Sequence, residues 1–158
     1  PVWKGSKKMS KDEKDSGHRS SPIEVAPKAA LKMLEDNPQA YLIDIRSTME
    51  HLMVGHPVGA IHVPWIDEPE FTPDPHFVRK IREVMLGGLL GEGEENPPLV
   101  ILICRSGRRS MEAGQALLDA GMHNVYSVAD GFEGPLDETH HRSTSAGWRF
   151  DQLPWQQC

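Results

Sequence analysis

The sequence predicts an α/β fold, an open parallel sheet flanked by helices on both faces. Three observations predict it. Strand-like and helix-like segments alternate along the chain, joined by short connections. The segment "LVILI", residues 99–103, is apolar throughout, as a central parallel strand covered on both faces is. Each longer helix-like segment carries its apolar residues on one face at helical spacing.

The 158 residues suit one domain with a tail. Residues 1–21 are lysine, serine and glycine rich with little to bury, and read as a disordered segment. Residues 22–158 form the expected domain. Ile23 and Val25 make a short strand, and Pro27 opens a helix whose apolar face holds Ala30, Leu31, Met33 and Leu34. Asn37-Pro38 stops that helix. "YLIDIR" (41–46) is a buried strand ending in charge. Ser47 and Glu50 have the spacing of a capping box, so a short helix starts there and runs to about Val54. A glycine-proline turn then leads to a short strand, Ala60 to Val63.

Residues 66–98 begin as a proline-rich loop. Asp74 as N-cap and Pro75 as the next residue open a helix with Phe77, Val78, Ile81, Val84 and Met85 on one face, ended by Gly87 and Gly88. An exposed acidic turn, "GEGEENPP", precedes the central strand. Residues 108–120 form a helix with Ala113, Ala116, Leu117 and Ala120 inward, closed by Gly121. "NVYSV" (124–128) is another strand, and Asp130-Gly131 a turn. The tail, 132–158, has no clear period; Trp148 and Trp155 are its expected packing anchors.

A net charge of −6 argues against nucleic acid as the main partner, because tracking phosphates needs a broad basic excess. No apolar run approaches the ~20 residues of a membrane-spanning helix. The first residues lack the apolar centre of a signal peptide. Cytoplasm is therefore the expected compartment, with a periplasmic protein after leader removal as the alternative. Two cysteines do not make a disulfide framework, and no Cys/His spacing matches a structural zinc site.

One of those cysteines, Cys104, ends the most apolar strand, where open parallel sheets place their ligand sites. A free thiol titrates near ~8.5, and two features here favour its anion. A helix starts a few residues later, with unpaired amides and a positive dipole end. Arg105, Arg108 and Arg109 add positive charge. Gly107 lets the loop bend so that successive N–H groups converge on sulfur. Buried cysteines are often small hydrophobes. Such a cysteine belongs inside the strand, not at its exit before three arginines.

A strand–Cys–loop–helix unit serves phosphate and sulfur chemistry alike. The tyrosine-phosphatase type needs arginine six positions after the cysteine to clasp the phosphoryl oxygens. Ser110 stands there instead. The loop is one residue short for a tetrahedral phosphate and has room for one extra sulfur.

"CRSGRRS" resembles the six-residue active loop, Cys104 to Arg109, of single-domain rhodanese-like sulfurtransferases. "YLIDIRSTMEHLMVGHPVGAIHVPW" resembles the family's upstream signature through Asp44, Arg46, Glu50, Gly55, His56, Gly59, Ala60 and Pro64. The resemblance covers about 23–135. It implies a rhodanese-like fold and a cysteine that takes sulfane sulfur from thiosulfate or polysulfide, becomes a persulfide, and passes the outer sulfur to a thiophilic acceptor such as cyanide, a thiol or a sulfur-carrier protein. Cys104 is the implied nucleophile. The loop from Arg105 through Ser106, Gly107 and Arg108 to Arg109 is the implied donor-binding element, with no metal or organic cofactor needed. Relative to simpler members, 66–98 and the extended tail 132–158 are insertions that could shape the pocket mouth or a partner surface. The alternatives are a sulfur-relay module with little turnover of small donors and, disfavoured by loop length, an arsenate reductase or phosphatase-like enzyme.

The remaining polar residues read mainly as structural. Arg46 with Glu50 is expected to form an ion pair that buttresses the sheet edge beside Asp44. His56 and His62 are expected as hydrogen-bonded histidines rather than partners of Cys104. His140, His141, Asp137 and Glu138 read as a solvated loop rather than a metal cluster, since adjacent histidines do not easily face one ion. Trp65 is a candidate for the pocket entrance. Cys158 is expected on a flexible end, with a second, sulfur-accepting thiol as the alternative reading.

Overall fold

A computed structural model describes residues 21–89 and 98–158. The segment expected to be disordered, and most of the acidic turn before the central strand, lie outside the described residues. Five strands form one wholly parallel sheet: β1 (Ile23–Val25), β2 (Ala40–Asp44), β4 (Ile61–His62), β5 (Leu99–Ile103) and β6 (Val125–Val128). Their order is β1-β6-β5-β2-β4, with β5 in the middle. Three helices cover the sheet: α1 (Pro27–Asp36), α2 (Phe77–Leu89) and α3 (Arg108–Asp119).

The apolar run of β5 is explained by what lies on its two faces. Val100, Leu102 and Cys104 point to a core shared with Phe77 and Ile81 of α2 and Ala113 and Leu117 of α3. Ile101 and Ile103 point to the other core, with Ala30 of α1, Phe132 and Trp148. The two-residue period of a strand thus splits one apolar segment between two cores. All of these β5 side chains are essentially inaccessible to water, and each full burial of such a side chain contributes about 1.5–3 kcal/mol.

The alternation of strands and helices, the central position of the "LVILI" strand and the helix that follows it are as the sequence predicts. Three boundaries differ: α2 runs through Gly87 and Gly88, the residues expected to end it, to Leu89, and two helix starts also depart from expectation. The capping box forms, with Ser47 N–H donating to Glu50 Oε1 and Glu50 N–H to Ser47 Oγ, both at 3.2 Å. The helix it starts, however, widens into a π-type turn over Glu50–Val54. Asp74 does not cap α2 directly. Its Oδ1 accepts from His76 N–H, its carbonyl accepts from Phe77 N–H, and the helix begins at Phe77 after that extra turn.

The tail is more ordered than its lack of period suggests. Trp148 is buried, its ring N–H donating to the Pro154 carbonyl at 2.9 Å. Arg149 N–H donates to the Phe132 carbonyl. Trp155 is a weaker anchor than expected, 39% exposed and edge-on to Phe132. Strand β7 (Trp155–Gln156) pairs antiparallel with β3 (His56–Pro57), a ribbon absent from the sequence reading. Cys158 is exposed but its N–H donates to the Leu52 carbonyl, and the Gln157 side chain donates to the Met53 carbonyl. The expectation of a flexible end is thereby corrected: the last residues are pinned to the 48–54 helix.

Candidate active site

Chain direction puts Cys104 just beyond the carboxyl end of β5, and Gly107 then turns the backbone into α3. Gly107 adopts φ 101°, left-handed backbone that residues with a Cβ rarely enter. The turn aims donors at one point. Gly107 N–H lies 3.1 Å from Cys104 Sγ and Ser110 N–H lies 3.3 Å from it. Ser110 is the third residue of α3, so its amide has no carbonyl partner within the helix. Ser110 Oγ is 3.3 Å from the same sulfur. Cys104 and Ser110 are both buried. Of the loop amides expected to converge between Arg105 and Arg109, Gly107's reaches the sulfur, and the second amide comes from Ser110, one residue beyond that span.

The three arginines separate. Arg105 and Arg108 are exposed and make no ion pair among the described residues. Arg109 turns to Glu50, its two terminal nitrogens each 2.9 Å from a carboxylate oxygen. This two-pronged pair ties α3 to the 48–54 helix. Burial opposes ionisation of Glu50, but the bonds and charge of Arg109 prevail and lower its pKa. Burial likewise opposes the Arg109 cation, and Glu50 and then Cys104 more than offset it, raising the pKa. Ser106 sits in the loop, half-buried.

The expected Arg46–Glu50 ion pair is not formed. Arg46 instead clasps Asp44, with Nε to Oδ1 at 2.9 Å and Nη2 to Oδ2 at 2.8 Å. Both side chains are fully buried. The reason is local: residues two apart at a strand end share a face, whereas Glu50 is turned by its cap toward Arg109. The Arg46 guanidinium lies 4.5 Å above the Phe132 ring. Burial raises the Asp44 pKa, yet bonds from His51 and Arg46 outweigh it and hold the carboxyl at about 2.

His51, which no sequence motif singles out, lies 2.7 Å from Asp44 through Nδ1. It is sandwiched between His56 and His62, with ring centroids 3.8 and 4.3 Å away. His56 Nδ1–H donates to the His51 carbonyl and His62 Nε2–H to the Arg46 carbonyl. Burial lowers the His62 pKa against that last bond. These are hydrogen-bonded histidines, as expected for His56 and His62, and no bond joins them to Cys104.

His140 and His141 are exposed, and Asp137 accepts from the N–H groups of Thr139 and His141 and the hydroxyls of Thr139 and Thr144, a loop-ordering role. Among the described residues no group of three or more His, Cys, Asp or Glu could hold a metal ion. Trp65 lines a cleft of about 420 Å³ with Asp67, Glu70, Thr72, Pro73 and Lys80 of the 66–98 segment, and its ring N–H donates to Glu112 of α3. Cys104 and Cys158 are both free thiols.

The strand-end cysteine, its donor ring and the parallel sheet coincide with a family match. The model of the rhodanese-like domain fits residues 26–138. The chain belongs to the rhodanese-like domain family. In structure it is similar to Rv0390 of M. tuberculosis, with 35% identity and a TM-score of 0.74 over 88% of this chain and 100% of that one. In sequence it is 32% identical over 111 residues to the thiosulfate sulfurtransferase GlpE of Glaesserella parasuis, covering 70% of this chain and 83% of that protein. It is also 28% identical over 137 residues to the uncharacterized protein RC0915 of Rickettsia conorii, covering 80% and 91%. Sulfurtransferases thus stand among the relatives of this rhodanese-like domain. No helix among the described residues is long and apolar enough to cross a membrane.

Proposed function

We propose that this chain is a sulfurtransferase that carries sulfane sulfur as a persulfide on Cys104. The observation that carries the reading is the convergence of two amide N–H groups on Sγ, with the Ser110 hydroxyl 3.3 Å away, at the end of the central strand. The two amides, held by the backbone, stabilise an anion on that sulfur without reorganisation at the moment of reaction. With thiosulfate as donor, the Cys104 thiolate attacks the outer sulfur. A new S–S bond forms, the donor's S–S bond breaks, and its electron pair leaves with sulfite. With polysulfide the leaving group is the shortened polysulfide. An acceptor nucleophile such as cyanide, a thiol or a nucleophilic group of a sulfur-carrier protein then attacks the outer sulfur, and Cys104 returns as thiolate.

The arginines divide the remaining work. Arg105 and Arg108, free of ion pairs among the described residues, attract the anionic donor, while Arg109 is held by Glu50 and positions the loop. Asp44 and Arg46 brace the sheet end from which the loop springs. Residues 22–158 are the unit that does this, and its segments 66–98 and 132–158 supply Phe77 and Ile81 to one core and Phe132 and Trp148 to the other. The similarity to GlpE, a thiosulfate sulfurtransferase by name, supports thiosulfate as one donor.

The test is thiocyanate production from thiosulfate and cyanide. Arg105→Ala and Arg108→Ala should each lower kcat/KM roughly tenfold, mostly through KM, and the loss should shrink as salt screens the donor's charge. Unchanged rates in both variants would remove the donor-attracting role. Stoichiometric loading of Cys104 without turnover would identify a sulfur-relay module instead.

A further inference from the structure

Ser127 lies near the end of β6, its side chain fully buried on the face that carries Val125 and turns toward α3. Its hydroxyl is 2.6 Å from Ser110 Oγ, its one side-chain hydrogen-bond partner among the described residues. Ser110 Oγ in turn has Cys104 Sγ and the Gly107 carbonyl within 3.3 Å each. Each hydroxyl has one hydrogen to donate. Among the described residues the Ser127 hydrogen has one hydrogen-bond acceptor, Ser110 Oγ, and a buried hydroxyl left without an acceptor is costly. Once Ser127 donates there, the Ser110 hydrogen faces away from Ser127, toward sulfur or the Gly107 carbonyl.

We propose that Ser127 is a positioning residue: by donating to Ser110 Oγ it commits the Ser110 hydroxyl to donate to Cys104 Sγ when that sulfur is anionic. An anion outcompetes a neutral carbonyl for the donor. When the sulfur is protonated, its S–H donates to Ser110 Oγ and the Ser110 hydrogen turns to the Gly107 carbonyl. The Ser127–Ser110 bond persists in both states, so the pair answers the charge on sulfur with a rotation of one hydroxyl. The inference rests on the reading of Cys104 as the reacting thiol and deepens it.

The test follows iodoacetamide alkylation of Cys104 as a function of pH in the full chain, with peptide masses counting Cys104 and Cys158 separately. Ser127→Ala should alkylate Cys104 roughly three- to tenfold more slowly than wild type at neutral pH and catch up in alkali, while the Cys158 rate stays the same. Ser127→Thr, which keeps the hydroxyl, should restore the wild-type profile. Ser110→Ala should slow the reaction at least as much, and adding Ser127→Ala to it should slow it no further. A Ser127→Ala profile that superimposes on wild type, or effects of the two changes that simply add, would overturn the inference. Sulfur loading of the wild type is measured in parallel. Failure there sinks the sulfurtransferase reading, while the alkylation profile still decides what Ser127 does.

Discussion

Replacing Arg46 with methionine is expected to destabilise the fold by about 3–5 kcal/mol, read as a lower urea midpoint at unchanged slope. Arg46 makes two side-chain bonds to Asp44, reaches the Gly55 carbonyl, and lies on Phe132. Methionine keeps much of the apolar stem but leaves the buried Asp44 carboxylate with His51 as its main side-chain partner. The penalty comes from that uncompensated charge. Changing both residues, Asp44→Leu with Arg46→Met, should therefore recover much of the loss. The pH dependence has a definite sign. In the wild type Asp44 is held at about 2, below its ordinary value of 3.8. The stability this contributes is complete above pH ~4 and is lost as pH falls through about 2. In Arg46→Met burial is less opposed and the carboxyl protonates more readily, so the variant's deficit narrows in acid.

Gly131→Ala is expected to cripple sulfur transfer by about a hundredfold or more, because small misplacements of reacting groups cost that much. Gly131 has φ 62°, and a Cβ there would collide with the Cys104 carbonyl oxygen and with the Arg105 carbonyl group, 2.6 Å from its carbon and 2.7 Å from its oxygen. All of those atoms are backbone of the reactive loop. The loop cannot relax by turning a side chain; it must move as a whole and carry Sγ off its donors. Gly121→Ala is the matched comparison. Its φ is 94°, yet a Cβ there meets nothing within 4 Å. It should cost only the local backbone strain, about 1–2 kcal/mol, and leave transfer unchanged. Thermal melts and thiocyanate rates on both variants separate strain from loop displacement.

The contrast between what could and could not be read from sequence follows contact distance along the chain. The Cys104 loop was legible because strand, turn glycine and helix start occupy consecutive residues, and the same holds for the Ser47–Glu50 cap. Ser127 was not. In "NVYSV" it is one more short polar residue of a strand, and its meeting with Ser110 exists only because β6 lies beside β5. His51 was hidden in a short helix, although Asp44 stands seven positions before it. The Arg46–Glu50 pairing misled because charge complementarity at four-residue spacing looks like an ion pair, while the strand end brings Asp44 nearer and Arg109 arrives from a distant helix. The β3–β7 ribbon joins residues about a hundred apart through two-residue strands, too short to carry any period.

Intact mass of the reduced protein after incubation with thiosulfate or polysulfide tests the central claim most directly. The wild type should gain the mass of one sulfur atom, lose it again on addition of cyanide or dithiothreitol, and the Cys104→Ser variant should gain none. No gain from either donor while Cys104 is shown to be reduced, or an equal gain in Cys104→Ser, would contradict a persulfide carried on Cys104.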